Sequence, residues 1–314
     1  MVTLTESAPP CLSEHYPANR QKAYTAPSAP PEYAAVVPVS DDADAEPLPA
    51  DLVDDPVTPE RIADDLRALG VAAGDTLLVH SSLSSLGFVP GGAQGVVAAL
   101  RDAVTPAGTL VVPTHSTDLT DPRHWENPPV PESWYETIRE STPAYRPDAT
   151  PTRGMGAIPE CLRDYDDAVR SDHPHYSFTA RGTDAEAVTD DHTLGSGLGP
   201  DSPLDAVYER DGSVLLLGVG HARNTSLHFA EHRADWSKSY SETGAPVLRD
   251  GEREWVSYRR LDFDDGDFDD CGAAFEASHP DAVTHGQVGA ADATFVDQRA
   301  LVDFGVAWLS DNRA

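Results

Sequence analysis

The sequence predicts an α/β fold around a largely parallel sheet, and three observations predict it. Short apolar runs recur at strand length: TLLVH from Thr76, TLVVP from Thr109 and VLLLGVG from Val214. Runs without polar alternation mark strands buried on both faces. The first two flank an amphipathic segment, so strand, loop, helix and strand follow one another within residues 76–113. That is a βαβ unit, and its crossover makes the two strands parallel.

Thr58 can cap a helix, Pro59 suits its first position and Glu60 its positive end. Ile62, Leu66 and Leu69 share one face, and Gly70 stops the helix. After the first strand, SSLSSLGFVPGG leads into a helix from about Ala93 to Val104, with Val96, Val97, Leu100 and Val104 inward. TPAG then turns into the second strand. The stretch from Thr117 to Arg153 is rich in Pro and aromatics and has no long period. Long loops inside compact domains are often functional, and Trp125 and Trp134 are expected to shape a cleft. IPECLRDY reads as a helix carrying Cys161 as an inert thiol. RSDHPHYSFTA, from Arg170 to Ala180, reads as a loop. Past the third strand, Asn224 or Thr225 caps a helix through HFAEH. Phe295 to Leu309 reads as a last helix with Leu301, Val302, Phe304 and Trp308 inward.

Residues 1–56 differ from the rest. They are acidic and rich in Pro and Ala, with no sustained period, and are expected to be a disordered extension to a domain at 57–314. They lack the basic start and apolar stretch of a secretory signal. Three cysteines without a CxxC pair fit a reducing, cytoplasmic setting. The 314-residue chain has 53 Asp and Glu against 22 Lys and Arg, a formal net charge of −31. Such a balance excludes general nucleic-acid binding, which needs Lys and Arg on phosphates. No apolar run approaches the roughly 20 residues that span a bilayer. The acidity is spread over the chain, and only Lys22 and Lys238 are lysines, which reads as adaptation to high salt.

Ligands of open α/β sheets bind beyond the carboxyl ends of the strands. Three such ends carry polar groups: His80-Ser81-Ser82, Thr114-His115-Ser116 and Asn224-Thr225-Ser226. Gly91-Gly92 precede a helix start, where free N–H groups suit an anion, although the spacing matches neither the Rossmann fingerprint nor a P-loop. His173 stands among Arg and Ser in a loop, as a general base can. His228, Glu231 and His232 form H-x-x-E-H, the inverted zincin pattern, in which two His bind zinc and Glu is the base. The pattern is short, and no third ligand is evident downstream.

At these residues the chain resembles the aminoglycoside 3-N-acetyltransferases, which move acetyl from acetyl-CoA to an amine. The matching segments include VHSSLSSLGFVPGGAQGVVAAL, GTLVVPTHSTDLTDPRHW, TPTRGMGAIPE, RSDHPHYSFTARG, VLLLGVGHARNTSLHFAE and HGQVGAADATFVDQRALVDFGVAWL. They run in family order from about Val57 to Leu309. The resemblance implies a three-layer fold with a central, largely parallel sheet, and direct transfer in a ternary complex. It implies His173 as general base and Thr152 as the carbonyl-polarising donor or a holder of the CoA thiol end. His80, Ser81, Ser82, Gly91, Gly92, Thr152 and Arg153 are then expected to hold acetyl-CoA. Glu231, His228 and Asn224 are expected at the acceptor, with Glu231 binding an ammonium or orienting His173. No metal, membrane or nucleic acid is expected, and a homodimer is allowed. Two alternatives stay open: a zinc hydrolase on His228, Glu231 and His232, and a non-catalytic acyl-CoA binder.

Overall fold

The computed structural model describes residues 48–126 and 128–313. Most of the extension expected at 1–56 lies outside these residues. The part inside, from Leu48, forms a 3-10 turn at Pro49–Asp51, and Val53 packs on the first core.

The elements are α1 (Pro59–Leu69), β1 (Thr76–Ser81), α2 (Ala93–Val104), β2 (Thr109–Pro113), α3 (Tyr135–Ser141), α4 (Ala157–Arg163), β3 (Val169–Arg170), β4 (Phe178–Gly182) and α5 (Ala185–Thr189). They continue with α6 (Pro203–Glu209), β5 (Ser213–Leu217), α7 (Ser226–Arg233), β6 (Tyr240–Arg249), β7 (Glu252–Leu261), α8 (Phe268–Ser278), β8 (Val283–Val288), β9 (Ala291–Asp297) and α9 (Gln298–Asn312). Local chemistry sets several bounds. Thr58 accepts from the Arg61 amide at 3.3 Å to start α1, and Gly70 ends it at φ +120°.

One seven-stranded sheet has the order β3-β4-β2-β1-β5-β9-β8. β1 pairs in parallel with β2 and with β5, as the apolar runs predict. The outer pairings are antiparallel. Alternation along the buried strands splits the core in two. Leu77, Val79, Leu110 and Leu215 face α1, α2 and α4. Leu78, Val111, Val214 and Leu216 face α5 to α9. The result is three layers, helices on both sides of the sheet. Each fully buried leucine contributes roughly 1.5–3 kcal/mol.

Three elements differ from expectation. RSDHPHYSFTA is a buried β-hairpin, β3 and β4, rather than a loop. Phe295 lies in β9, and the last helix starts only at Gln298, where Asp297 accepts from the Ala300 amide at 2.9 Å. The hairpin β6–β7 forms a separate two-stranded sheet. Its turn, Asp250-Gly251, has φ of +50° and +82°, the conformation that Asp-Gly favours in tight hairpins.

Candidate active site

β1 lies between two parallel neighbours whose connections leave in opposite directions. At such a switch point the loops separate and leave a cleft. A cavity of about 410 Å³ opens there. Val79, His80 and Ser81 line it from β1, Pro113 and His115 from β2, and Val219 from just past β5. Asn224, Thr225 and His228 close it from the start of α7, and Gly154 and Met155 from the segment before α4.

Two of its histidines are held neutral. Burial pushes both His80 and His115 down to about 3, with the neighbouring His228 adding to the shift. His80 Nε2 lies 3.3 Å from the Thr225 hydroxyl. His115 packs edge-on against Tyr176 and Phe178.

His228 is different. Its Nδ1–H donates to Glu231 Oε2 at 2.9 Å, and its ring lies between Phe263 and Phe268 at 4.7 and 4.8 Å. Helical spacing brings His228 and Glu231 together, because residues three apart share a face. Glu231 has no solvent exposure. Its other oxygen accepts from the Asp264 amide at 2.9 Å and from Arg313 at 2.7 Å. A carboxylate on Nδ1 fixes the tautomer, so Nε2 carries the free lone pair on a residue that lines the cavity.

The expected site residues distribute unevenly. The cavity gathers His80, Ser81, Asn224 and His228. Asn224 is buried, and its side-chain oxygen accepts from the Ser226 amide; of the two expected caps, Thr225 holds the cap position. Ser82 bonds to Ser84 and Ser85 in the loop after β1. Gly91 and Gly92, at φ +78° and +56°, turn that loop into α2. Neither they nor Ser82 line the cavity. Arg153 is exposed, 3.6 Å from Asp118, at a neighbouring cavity of about 410 Å³ with Trp125 and Glu126. Trp125 therefore does line a cleft. Trp134 lines neither cavity and stands 56% exposed.

Three expected site residues are committed to partners within the protein. His173 is fully buried and does not line the cavity. Its Nδ1 accepts from the amides of His175 and Tyr176, and its Nε2–H donates to Leu194 O at 3.2 Å. With both ring nitrogens committed, it holds the β3–β4 turn and has no lone pair for a substrate. Thr152 donates its hydroxyl to Glu160 Oε1, which also accepts from its amide at 2.8 Å, so the proton needed to polarise a carbonyl is committed. Glu231 bonds His228 rather than His173 and has no solvent exposure.

The zinc reading fits poorly. No group of three or more His, Cys, Asp or Glu side chains suited to a metal occurs among the described residues. Glu231, which would have to activate a metal-bound water, is committed to Arg313 and His228.

Sequence reading gave His228 only a supporting part, and Arg170 none. Arg170 is buried, with no carboxylate partner among the described residues. Its guanidinium donates to Thr114 O, Ser116 Oγ, Thr150 O and Ser177 Oγ, tying the TPTR segment to the end of β2. The advance signals for His228 were its spacing to Glu231 and its place in the NTSLHFAE segment.

An α/β scaffold with a carboxylate-held imidazole on a cavity wall at the switch point of its parallel strands is the kind of site that enzymes carry. Comparison makes this specific. Residues 78–310 match the family model described as aminoglycoside 3-N-acetyltransferase. The chain is 46% identical over 258 residues to the SPbeta prophage-derived aminoglycoside N(3')-acetyltransferase-like protein YokD of Bacillus subtilis, covering 82% of this chain and 94% of that one. It is 40% identical over 273 residues to aminoglycoside N(3)-acetyltransferase VII of Streptomyces paromomycinus, with 82% and 93% covered. The crystal structure of YokD superposes with a TM-score of 0.80 over 82% of this chain and 95% of that one. AAC-IIIb, solved as a binary complex with CoASH, superposes at 0.73 with 34% identity over 82% and 97%. The chain belongs to the aminoglycoside 3-N-acetyltransferase family, and so to the acyltransferases.

Proposed function

We propose that this protein transfers acetyl from acetyl-CoA to the 3-amino group of an aminoglycoside-like acceptor, directly within a ternary complex. The observation that carries the reading is the His228–Glu231 pair on the wall of the switch-point cavity. Family membership supports the reaction, and a relative solved with CoASH supports the co-substrate. A second relative, AAC-VIa bound to sisomicin (TM-score 0.73, 32% identity, 83% of this chain and 100% of that one), supports the acceptor class.

His228 takes the role expected of His173. An alkyl ammonium cannot attack a thioester until it loses a proton. Nε2 of His228 accepts that proton, and Glu231 stabilises the imidazolium that forms. The amine then adds to the acetyl carbonyl, the adduct releases its second N–H proton to solvent, the C–S bond breaks, and the imidazolium protonates the departing thiolate to leave the amide and CoASH. Cys161 and Cys271 do not line the cavity, and burial raises the thiol pKa of both, that of Cys271 to about 12. This favours direct transfer over an acyl-cysteine.

Acetyl-CoA supplies the activated acetyl group when bound. Ser81 Oγ, on a cavity-lining residue, is buried with no partner among the described residues, a donor that a ligand would satisfy. A Cβ built on Gly92 meets nothing within 4 Å, so the start of α2 is open to an incoming phosphate. Ser81, Ser82, Gly91 and Gly92 are therefore the residues that would hold the co-substrate.

The test is thiol release from acetyl-CoA, in high-salt buffer, against a panel of aminoglycosides and simpler amines. His228→Ala is expected to lose about 100-fold or more of turnover while binding CoA as before. Near-full activity in His228→Ala would overturn the mechanism. Release with a simple amine alone would keep the transferase and discard the acceptor class.

A further inference from the structure

Arg313 lies just past α9, 82 positions along the chain from Glu231. Its guanidinium donates to Glu231 Oε1 at 2.7 Å and through Nε to Asp267 Oδ2 at 2.8 Å. It also donates to Asp264 O, and it stacks over Trp236 and Phe268 with centroids at 5.0 and 5.8 Å. Its side chain is 8% exposed, so this fork has little freedom to swing away.

We infer that Arg313 is a positioning residue for the base: it keeps Glu231 ionised, with Oε2 turned toward His228. The inference rests on the reading of His228 as the base. Without Arg313, Glu231 would keep only the imidazole of His228 and the Asp264 amide, and a carboxylate with no solvent exposure and no opposite charge gains by taking up a proton. A protonated Glu231 would donate to Nδ1 of His228, and the imidazole proton would move to Nε2. The nitrogen facing the cavity would then be a donor, unable to accept a proton from the amine. Arg313 supplies the full opposite charge that prevents this switch.

The other charged and titratable groups around His228 do not supply that charge. His80 from β1 and His115 from the end of β2 stay neutral through burial. Burial likewise lowers His232, on the same helix, to about 4. Asp265, on the cavity wall, Asp264 and Asp267 are acidic. Tyr176 also lines the cavity, and burial raises its phenol, which keeps it neutral. Lys238 donates to His232 O at 2.7 Å, and Arg223, on the wall, is exposed. Among the described residues, Arg313 is the one cation bonded to Glu231.

The experiment compares wild type, Arg313→Met, Arg313→Lys and His228→Gln. Imidazole nitrogen NMR of the free enzymes reads the His228 tautomer near pH 7.5, its signals assigned by their loss in His228→Gln. Wild type is expected with the proton on Nδ1 and Arg313→Met with it on Nε2. In thiol release, the acidic limb of kcat/KM in Arg313→Met is expected to move up by about one pH unit or more, with KM for acetyl-CoA unchanged. Added guanidinium is expected to restore part of the rate. A uniform loss at every pH with the wild-type tautomer would mean a merely structural role and would overturn the inference. Arg313→Lys keeps the charge and is expected to keep the wild-type tautomer and an acidic limb close to wild type. If Arg313→Met does not fold, the neutral polar Arg313→Gln replaces it, and an unshifted limb with the wild-type tautomer in that variant overturns the inference. If His228→Gln keeps full activity, the base assignment fails instead, and the tautomer measurement still reports on Arg313.

Discussion

Acid should unfold this protein early, and the size of the effect follows from its buried histidines. His80, His115, His173 and His175 are at most 8% exposed. Burial holds His80, His115 and His175 at about 3 and His173 well below its ordinary value. In the unfolded chain each returns to about 6.5. The unfolded state therefore binds more protons wherever the pH lies between these values, and stability rises with pH across that window. The contribution is fully present above about 6.5 and is lost as pH falls below it. At pH 5.5 each histidine costs RT ln(1 + 10), about 1.4 kcal/mol, so four cost about 6 kcal/mol. That is comparable with the whole stability of a typical domain. At about 2–4 °C per kcal/mol for a chain of this size, Tm should drop by roughly 10–20 °C between pH 7 and 5.5. The assay is thermal unfolding followed by circular dichroism at fixed high salt, which screens the acidic surface at every pH. A Tm that stays level from pH 7 to 5.5 would refute the reasoning, because these histidines would then be charged in the folded protein.

Two further substitutions separate scaffold from chemistry. His173→Gln removes an acceptor from two buried amides and should cost about 2–3 kcal/mol of stability; turnover per folded molecule should stay within about threefold of wild type, and a hundredfold loss would return His173 to the catalytic machinery. Asp121 is buried between Arg123 and Arg139, each at 2.8 Å, and pins the Pro- and aromatic-rich segment. Both arginines are partly exposed, so Asp121→Asn should cost about 2 kcal/mol rather than the full penalty of a deeply buried pair. Limited proteolysis should then cut first within residues 117–142, and an unchanged cleavage pattern would show that the clamp holds nothing.

Much of this protein was determined by the sequence alone. TLLVH, TLVVP and VLLLG could only be buried strands, and the helix between the first two made them parallel. Thr58, Pro59 and Gly70 set the bounds of α1 through their own backbone preferences. The polar residues after the strands marked the edge where the cavity lies, and the ordered motifs implied the family. These features are local, because periodicity and capping act over a few residues. Tertiary structure alone decided which histidine keeps a nitrogen free. His173 and His228 both carry imidazoles in family motifs, but backbone amides and Leu194 fill both nitrogens of one, and Glu231 leaves one nitrogen of the other free. The same holds for Glu231, whose Oε1 is bonded by Arg313 from 82 positions away. A lone pair is free or spent according to what long-range packing brings beside it, and no spacing along the chain encodes that.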